Sequence, residues 1–99
     1  MSKIRVLLVD DEEDYVKTMA ERMDMRDLES TVALSGEEAL DVLDSNPPDV
    51  MVLDLRMPGM HGMEVLERVK ENHPHIQVII LTGHGGEKDE REARRLGAF

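Results

Sequence analysis

Two short apolar runs in this chain each stop at aspartate: Val6-Leu7-Leu8-Val9 leads into Asp10-Asp11, and Val50-Met51-Val52-Leu53 leads into Asp54. A run that is continuously apolar, with no polar alternation, reads as a strand buried on both faces, and such strands belong to parallel sheets covered by helices. If the two runs are neighbouring parallel strands, their carboxyl ends bring Asp10, Asp11 and Asp54 together at the edge where open α/β sheets bind ligands. Three carboxylates so placed repel one another unless a cation sits among them.

The rest of the chain agrees with one small α/β domain. Its 99 residues are 40% hydrophobic, which suits a single core. It contains no cysteine, so disulfides, thiolate metal sites and cysteine nucleophiles are excluded. A net charge of −10 opposes contact with nucleic-acid backbones and anionic membranes, and points to divalent cations and basic protein surfaces as partners. With one Phe, one Tyr and no Trp, the chain lacks the aromatic platforms of single-strand binders. No apolar run approaches membrane-spanning length and the N-terminus lacks a signal-peptide pattern, so a cytoplasmic location is expected. Most of the eight methionines fall at apolar positions of expected helices or strands, as flexible core filling.

Strand and helix patterns alternate along the chain. Ile4 to Asp10 reads as a strand, and Glu12 to Met25 as a helix with Val16, Met19, Ala20 and Met23 on one stripe and acidic Glu12, Glu13 and Asp14 in its first turn. Ser30 to Leu34 is a weaker strand signal. Ser35-Gly36-Glu37-Glu38 reads as a capping box opening a helix that carries Ala39, Leu40, Val42 and Leu43, and Asn46-Pro47-Pro48 stops it. Val50 to Asp54 is the third strand, Met57-Pro58-Gly59 a turn, and Met63, Val65, Leu66 and Val69 mark the next helix, which Pro74 ends. Ile76 to Leu81 is a β-branched fourth strand, Thr82 to Gly86 a loop, and Glu87 to Leu96 a charged helix closing at Gly97. The alternation predicts a parallel sheet with helices on both faces.

Mg²⁺ takes oxygen ligands, usually one or two carboxylates with several waters kept in place, and Asp10, Asp11 and Asp54 meet that need. A carboxylate beside such an ion can also attack a phosphoryl group, because the ion offsets the repulsion between anions. The reaction to suspect is aspartyl phosphorylation. Structural readings stand beside this one: Asp10 or Asp11 can cap the first helix, and Asp54 can cap a turn. Thr82, ending the fourth strand, can donate a hydrogen bond to a phosphoryl oxygen on Asp54, or bond only local backbone. The histidines His61, His73, His75 and His84 form no helical i,i+4 pair and read as solvated loop residues.

At these residues the chain resembles the receiver domain of two-component response regulators. The resemblance rests on Val6 to Glu12, on Val50 to Gly62 with its Asp54-Leu55-Arg56-Met57-Pro58-Gly59 core, on Ile79 to Gly85, and on Leu96 to Phe99. It implies a CheY-like, flavodoxin-like doubly wound sheet of strand order 2-1-3-4, with the whole of residues 1–99 forming the receiver. Asp54 would accept a phosphoryl group from the phosphohistidine of a sensor histidine kinase. Asp11 and Asp54 would ligate Mg²⁺ directly with the Arg56 backbone carbonyl, and Asp10 would act through a metal-bound water. Thr82 would bond the phosphoryl oxygen and report it to the surface around the last helix. Such a chain is a signalling domain that assists its own phosphorylation and dephosphorylation, with no direct contact to nucleic acid or membrane.

One departure stands out. Receivers carry a lysine before a proline at the end of a fifth strand, and neither that strand, its lysine nor a fifth helix is found in these 99 residues. The resemblance therefore implies a receiver truncated at its C-terminus, in which metal binding is kept better than phosphotransfer. A bare fourth strand would be a template for self-association through Ile76 to Leu81. Two other classes compete. A phosphatase of the haloacid-dehalogenase type needs an Asp two residues after its nucleophile, where this chain has Arg56. A non-phosphorylated assembly module would keep the fold and lose the chemistry.

Overall fold

Arg5–Val9 forms β1 as the continuous apolar run predicts, with Val6, Leu7, Leu8 and Val9 all buried. The computed structural model describes residues 3–54 and 62–81. After β1 come α1 (Glu13–Asp24), β2 (Glu29–Ala33), α2 (Gly36–Ser45), β3 (Val50–Asp54), α3 (Gly62–Asn72) and β4 (Gln77–Leu81). All pairings are parallel and the strand order is β2-β1-β3-β4, the order the resemblance implies. The chain steps from β1 outward to β2, then crosses back to β3 on the other side of β1. That reversal makes the β1/β3 boundary the switch point of the sheet.

Residue parity along the strands divides the core in two. Leu7 and Val9 of β1, Met51 and Leu53 of β3 and Val78 of β4 pack with Ala39 and Leu43 of α2 and with Val65, Leu66 and Val69 of α3. Val6, Leu8 and Val52 face the other way, onto Val16 of α1, with Met19, Ala20 and Met23 half-buried beside them. The predicted stripe of α1 is thus its buried face. Met19, Met23, Met51 and Met63 all contribute to core packing, whereas Met25, just past α1, is 86% exposed and fills nothing.

Local chemistry sets the element ends. α1 closes with Leu28 N–H donating to Met23 C=O (3.0 Å) and Asp27 N–H to Asp24 C=O (3.2 Å), and Asp27 takes φ 63°. This is the Schellman arrangement with aspartate in the left-handed position usually held by glycine, and Leu28 and Met23 join the same core beneath it. At the start of α2, Ser35 Oγ accepts from Glu38 N–H (3.1 Å), as a capping box requires. The reciprocal bond departs from the expected form. Glu38 Oε2 accepts from Leu34 N–H (2.9 Å), one residue before the cap. That bond takes Leu34 out of the ladder, so β2 runs Glu29–Ala33 and not Ser30 to Leu34.

Replacing Ser35 by Ala is expected to lower stability by about 1 kcal/mol, within the roughly 0.5–2 kcal/mol range of lost N-caps, since the Glu38 N–H is left to water. Urea unfolding should show a lower midpoint at unchanged slope.

Candidate functional site

The two-residue period that places Val6 and Leu8 on the α1 face of β1 carries forward to Asp10, and the period that places Val52 there carries forward to Asp54. β1 and β3 are paired in register through Val9 and Leu53, so Asp10 follows directly beside Asp54. The Asp10 N–H donates to Ala33 C=O of β2 (3.1 Å), which extends the ladder one residue past β1 and fixes the backbone there. Asp11 is the next residue, exposed, before α1 begins. One carboxylate oxygen from each of Asp10, Asp11 and Asp54 lies within 4.8 Å of the others.

At the start of α1 the hydrogen bonds show how far Asp10 serves as a cap. Glu12 is the N-cap of α1 and its side chain makes no capping bond. Asp10 Oδ1 accepts from Glu12 N–H (2.9 Å), a local turn bond that uses one oxygen of one aspartate. So part of Asp10 is structural. The approach of three carboxylates is not explained by helix capping.

Burial pushes the Asp10 carboxyl above the usual carboxylate range; the Glu12 N–H bond opposes that shift, and the negative charges of Asp54, Glu12 and Asp11 add to it. Ionised Asp10 therefore sits in an environment that disfavours its charge. The donor set fits Mg²⁺ in kind, because all three groups are hard oxygen donors. It fits in size too: with metal–oxygen distances of about 2.1 Å, ligands of one ion lie within roughly 4.2 Å of each other. The three carboxylate oxygens, all within 4.8 Å of one another, come close to that span, and the difference is accommodated where one of them reaches an ion through a water.

Arg56 and Thr82, the other two expected site residues, lie outside the described residues, as do the Met57-Pro58-Gly59 turn, His61, His84 and the expected helix Glu87 to Leu96. Of the histidines within them, His73 and His75 stand edge to face with ring centroids 6.2 Å apart, just before β4 begins. They sit towards the amino ends of the strands, at the edge opposite the aspartates. His73 Nε2 lies 4.0 Å from Asp44 Oδ1 of α2. Among the described residues, the aspartates are the one group of three or more that can hold a metal.

The structure adds a residue that the motifs did not single out. Tyr15, in the first turn of α1, lines a cavity of about 10 Å³ together with Asp10 and Asp54, over an apolar floor that includes Leu8, Val16 and Val52. Nothing in the local pattern marked it, because a lone tyrosine flanked by acidic residues and a helical stripe reads as surface.

An α/β domain wound 2-1-3-4, with a carboxylate cluster at its switch point, is the class this geometry defines. The chain belongs to the response regulator receiver domain family, which matches it over residues 6–99. Sporulation initiation phosphotransferase F of Bacillus subtilis is 34% identical over 99 residues, covering 100% of this chain and 80% of that protein. The DNA-binding transcriptional regulator NtrC of Klebsiella pneumoniae is 37% identical over 92 residues, covering 93% of this chain and 20% of its own length, so the chain spans about a fifth of that regulator. Among solved structures, a response regulator receiver domain protein from Clostridium thermocellum superposes with a TM-score of 0.90 at 34% identity, over 97% of this chain and 78% of that one. Receivers are the signalling domains of two-component systems, and Mg²⁺ binding and phosphorylation are features of the family. No helix among the described residues is long and apolar enough to cross a membrane.

Folded Asp10 holds its proton to higher pH than the unfolded chain does. Its contribution to stability is complete below the ordinary aspartate range and is lost as pH rises through the raised value. In metal-free buffer, Asp10→Asn should therefore be more stable than the wild type at neutral pH, with the difference narrowing in acid. Urea midpoints measured across that pH series check this.

Proposed function

We propose that this chain is a phosphoacceptor receiver, taking a phosphoryl group from the phosphohistidine of a sensor histidine kinase onto Asp54. The observation that carries the reading is the approach of Asp10, Asp11 and Asp54 to within 4.8 Å at the carboxyl ends of β1 and β3. Membership of the receiver family supports it.

Each residue has a role in this reading. Asp54 ends β3 with its backbone held in the ladder opposite Leu81 of β4, which orients it as the acceptor. Asp11 and Asp54 would hold Mg²⁺ together with the Arg56 carbonyl, and Asp10, already bonded to Glu12 N–H, would act on the ion through water. When bound, the ion supplies positive charge against which an anionic carboxylate can approach an anionic phosphoryl group. Thr82, next in sequence after the Asp54 partner Leu81, donates to the phosphoryl oxygen and passes the change to the last helix. A switch of this kind requires the phosphate to favour one of two arrangements energetically.

Incubation with Mg²⁺ and acetyl phosphate should give a mass gain of one phosphoryl group that Asp54→Asn abolishes, and beryllofluoride with Mg²⁺ should bind the wild type alone. A wild type that gains no adduct at any Mg²⁺ concentration would instead place the chain with assembly modules that keep the receiver fold without its chemistry.

Self-association along β4 belongs to the same proposal. Among the described residues β4 pairs only with β3, and Ile79, in register with Val52, is 40% exposed on a face of the sheet. An unpaired strand edge is a template for a second chain. Sedimentation equilibrium is expected to show a concentration-dependent dimer, and a monomer at high concentration would sink the idea.

A further inference from the structure

Tyr15 borders the acidic cluster, yet the roles assigned above leave it unused. Half of its surface is exposed, and it lines the cavity that also carries Asp10 and Asp54. A residue that is half in solvent and also lines a cavity forms part of the outer wall. The inner walls are apolar, from Leu8 and Val52 of the sheet and Val16 of α1. At about 10 Å³ the cavity is near the lower limit for one water. Among the described residues, a water there finds side-chain polar partners towards the aspartates and the tyrosine, over an otherwise apolar lining.

We infer that Tyr15 is a positioning residue that screens the α1 side of the acceptor from bulk water and so lengthens the life of the aspartyl phosphate. The inference rests on the phosphoacceptor reading of Asp54. The step it slows is hydrolysis. A water oxygen bonds to phosphorus, the bond from phosphorus to Asp54 Oδ breaks, its electron pair returns to the carboxylate, and both water protons leave on dihydrogen phosphate. Cutting the side chain back to Cβ widens the mouth of the small cavity and lets more water reach the carboxylate edge from α1; a phenyl ring at the same place keeps the mouth narrow.

The only tyrosine in the chain, with no tryptophan present, is also a built-in reporter. Its emission should change saturably on addition of Mg²⁺, since the ion alters the charge of the carboxylates beside it, and should not change in the double variant Asp10→Asn/Asp11→Asn. The decisive measurement is the half-life of the phosphorylated protein after removal of acetyl phosphate. Tyr15→Ala should shorten it several-fold, and Tyr15→Phe should restore the wild-type value. Tyr15→Leu, which keeps apolar cover on α1 but lacks the ring, should shift it in the same direction as alanine, and serves if the alanine variant does not fold by circular dichroism. A wild-type half-life in the alanine and leucine variants overturns the inference, as does a phenylalanine variant as short-lived as alanine. Should the wild type form no adduct at all, it is the phosphoacceptor reading that fails. The Mg²⁺ titration then still tests Tyr15, and an emission blind to Mg²⁺ removes it from the site.

Discussion

The parallel pairing of β1 with β3 is the constraint on which the rest of the molecule depends. Successive residues rise about 3.3 Å along a parallel strand and alternate faces, so a slip of one residue would move Asp10 away from Asp54 and turn it to the opposite side of the sheet. The slip is prevented in two ways. At the amino end, Arg5 N–H donates to Asp49 Oδ2 (2.9 Å), Asp49 N–H to Arg5 C=O (2.9 Å), and Gln77 N–H to Asp49 C=O (3.2 Å), so one aspartate ties together the starts of β1, β3 and β4. Between the ends, a shifted register would carry Leu7 and Leu53 out of the α2/α3 core and into the smaller one beneath α1. The site is precise because the core on either side of the sheet is.

How far the sequence revealed this differs from element to element, for physical reasons. β1 and β3 were legible because burial on both faces demands an unbroken apolar run, a pattern few other structures need. β2 was legible only approximately. Its burial alternates, and its end is decided by whether the Leu34 N–H bonds a strand or the Glu38 carboxylate, a charge-assisted bond that strand propensity does not register. The left-handed Asp27 was hidden, since aspartate tolerates that conformation without requiring it. In the site, the aspartates were legible as strand ends, but that the N-cap of α1 falls on Glu12, with no side-chain capping bond, was not. Tyr15 was illegible because its place beside Asp10 depends on the angle at which α1 leaves the sheet, and no local spacing encodes that angle.

Asp10 also shows how the fold holds the site in electrostatic tension. A chain with net charge −10 gathers Asp10, Asp11 and Asp54 at one edge and follows them with Glu12, Glu13 and Asp14. Two features of the fold soften the cost: the amino end of α1 points its free N–H groups towards this edge, and Glu12 N–H bonds Asp10 directly. They do not cancel it, because burial and the neighbouring carboxylates still raise the affinity of Asp10 for its proton. The unrelieved part is what a cation would gain on binding. Ligand that binds only the folded chain adds stability by mass action, about 2.7 kcal/mol at one hundred times its dissociation constant. In a small domain whose total stability is on the order of 5–15 kcal/mol, that gain is a large share. Repulsion among the aspartates thus does two things at once. It keeps the edge less stable than a neutral one would be, and it means that a cation bound there would add to the stability of the fold.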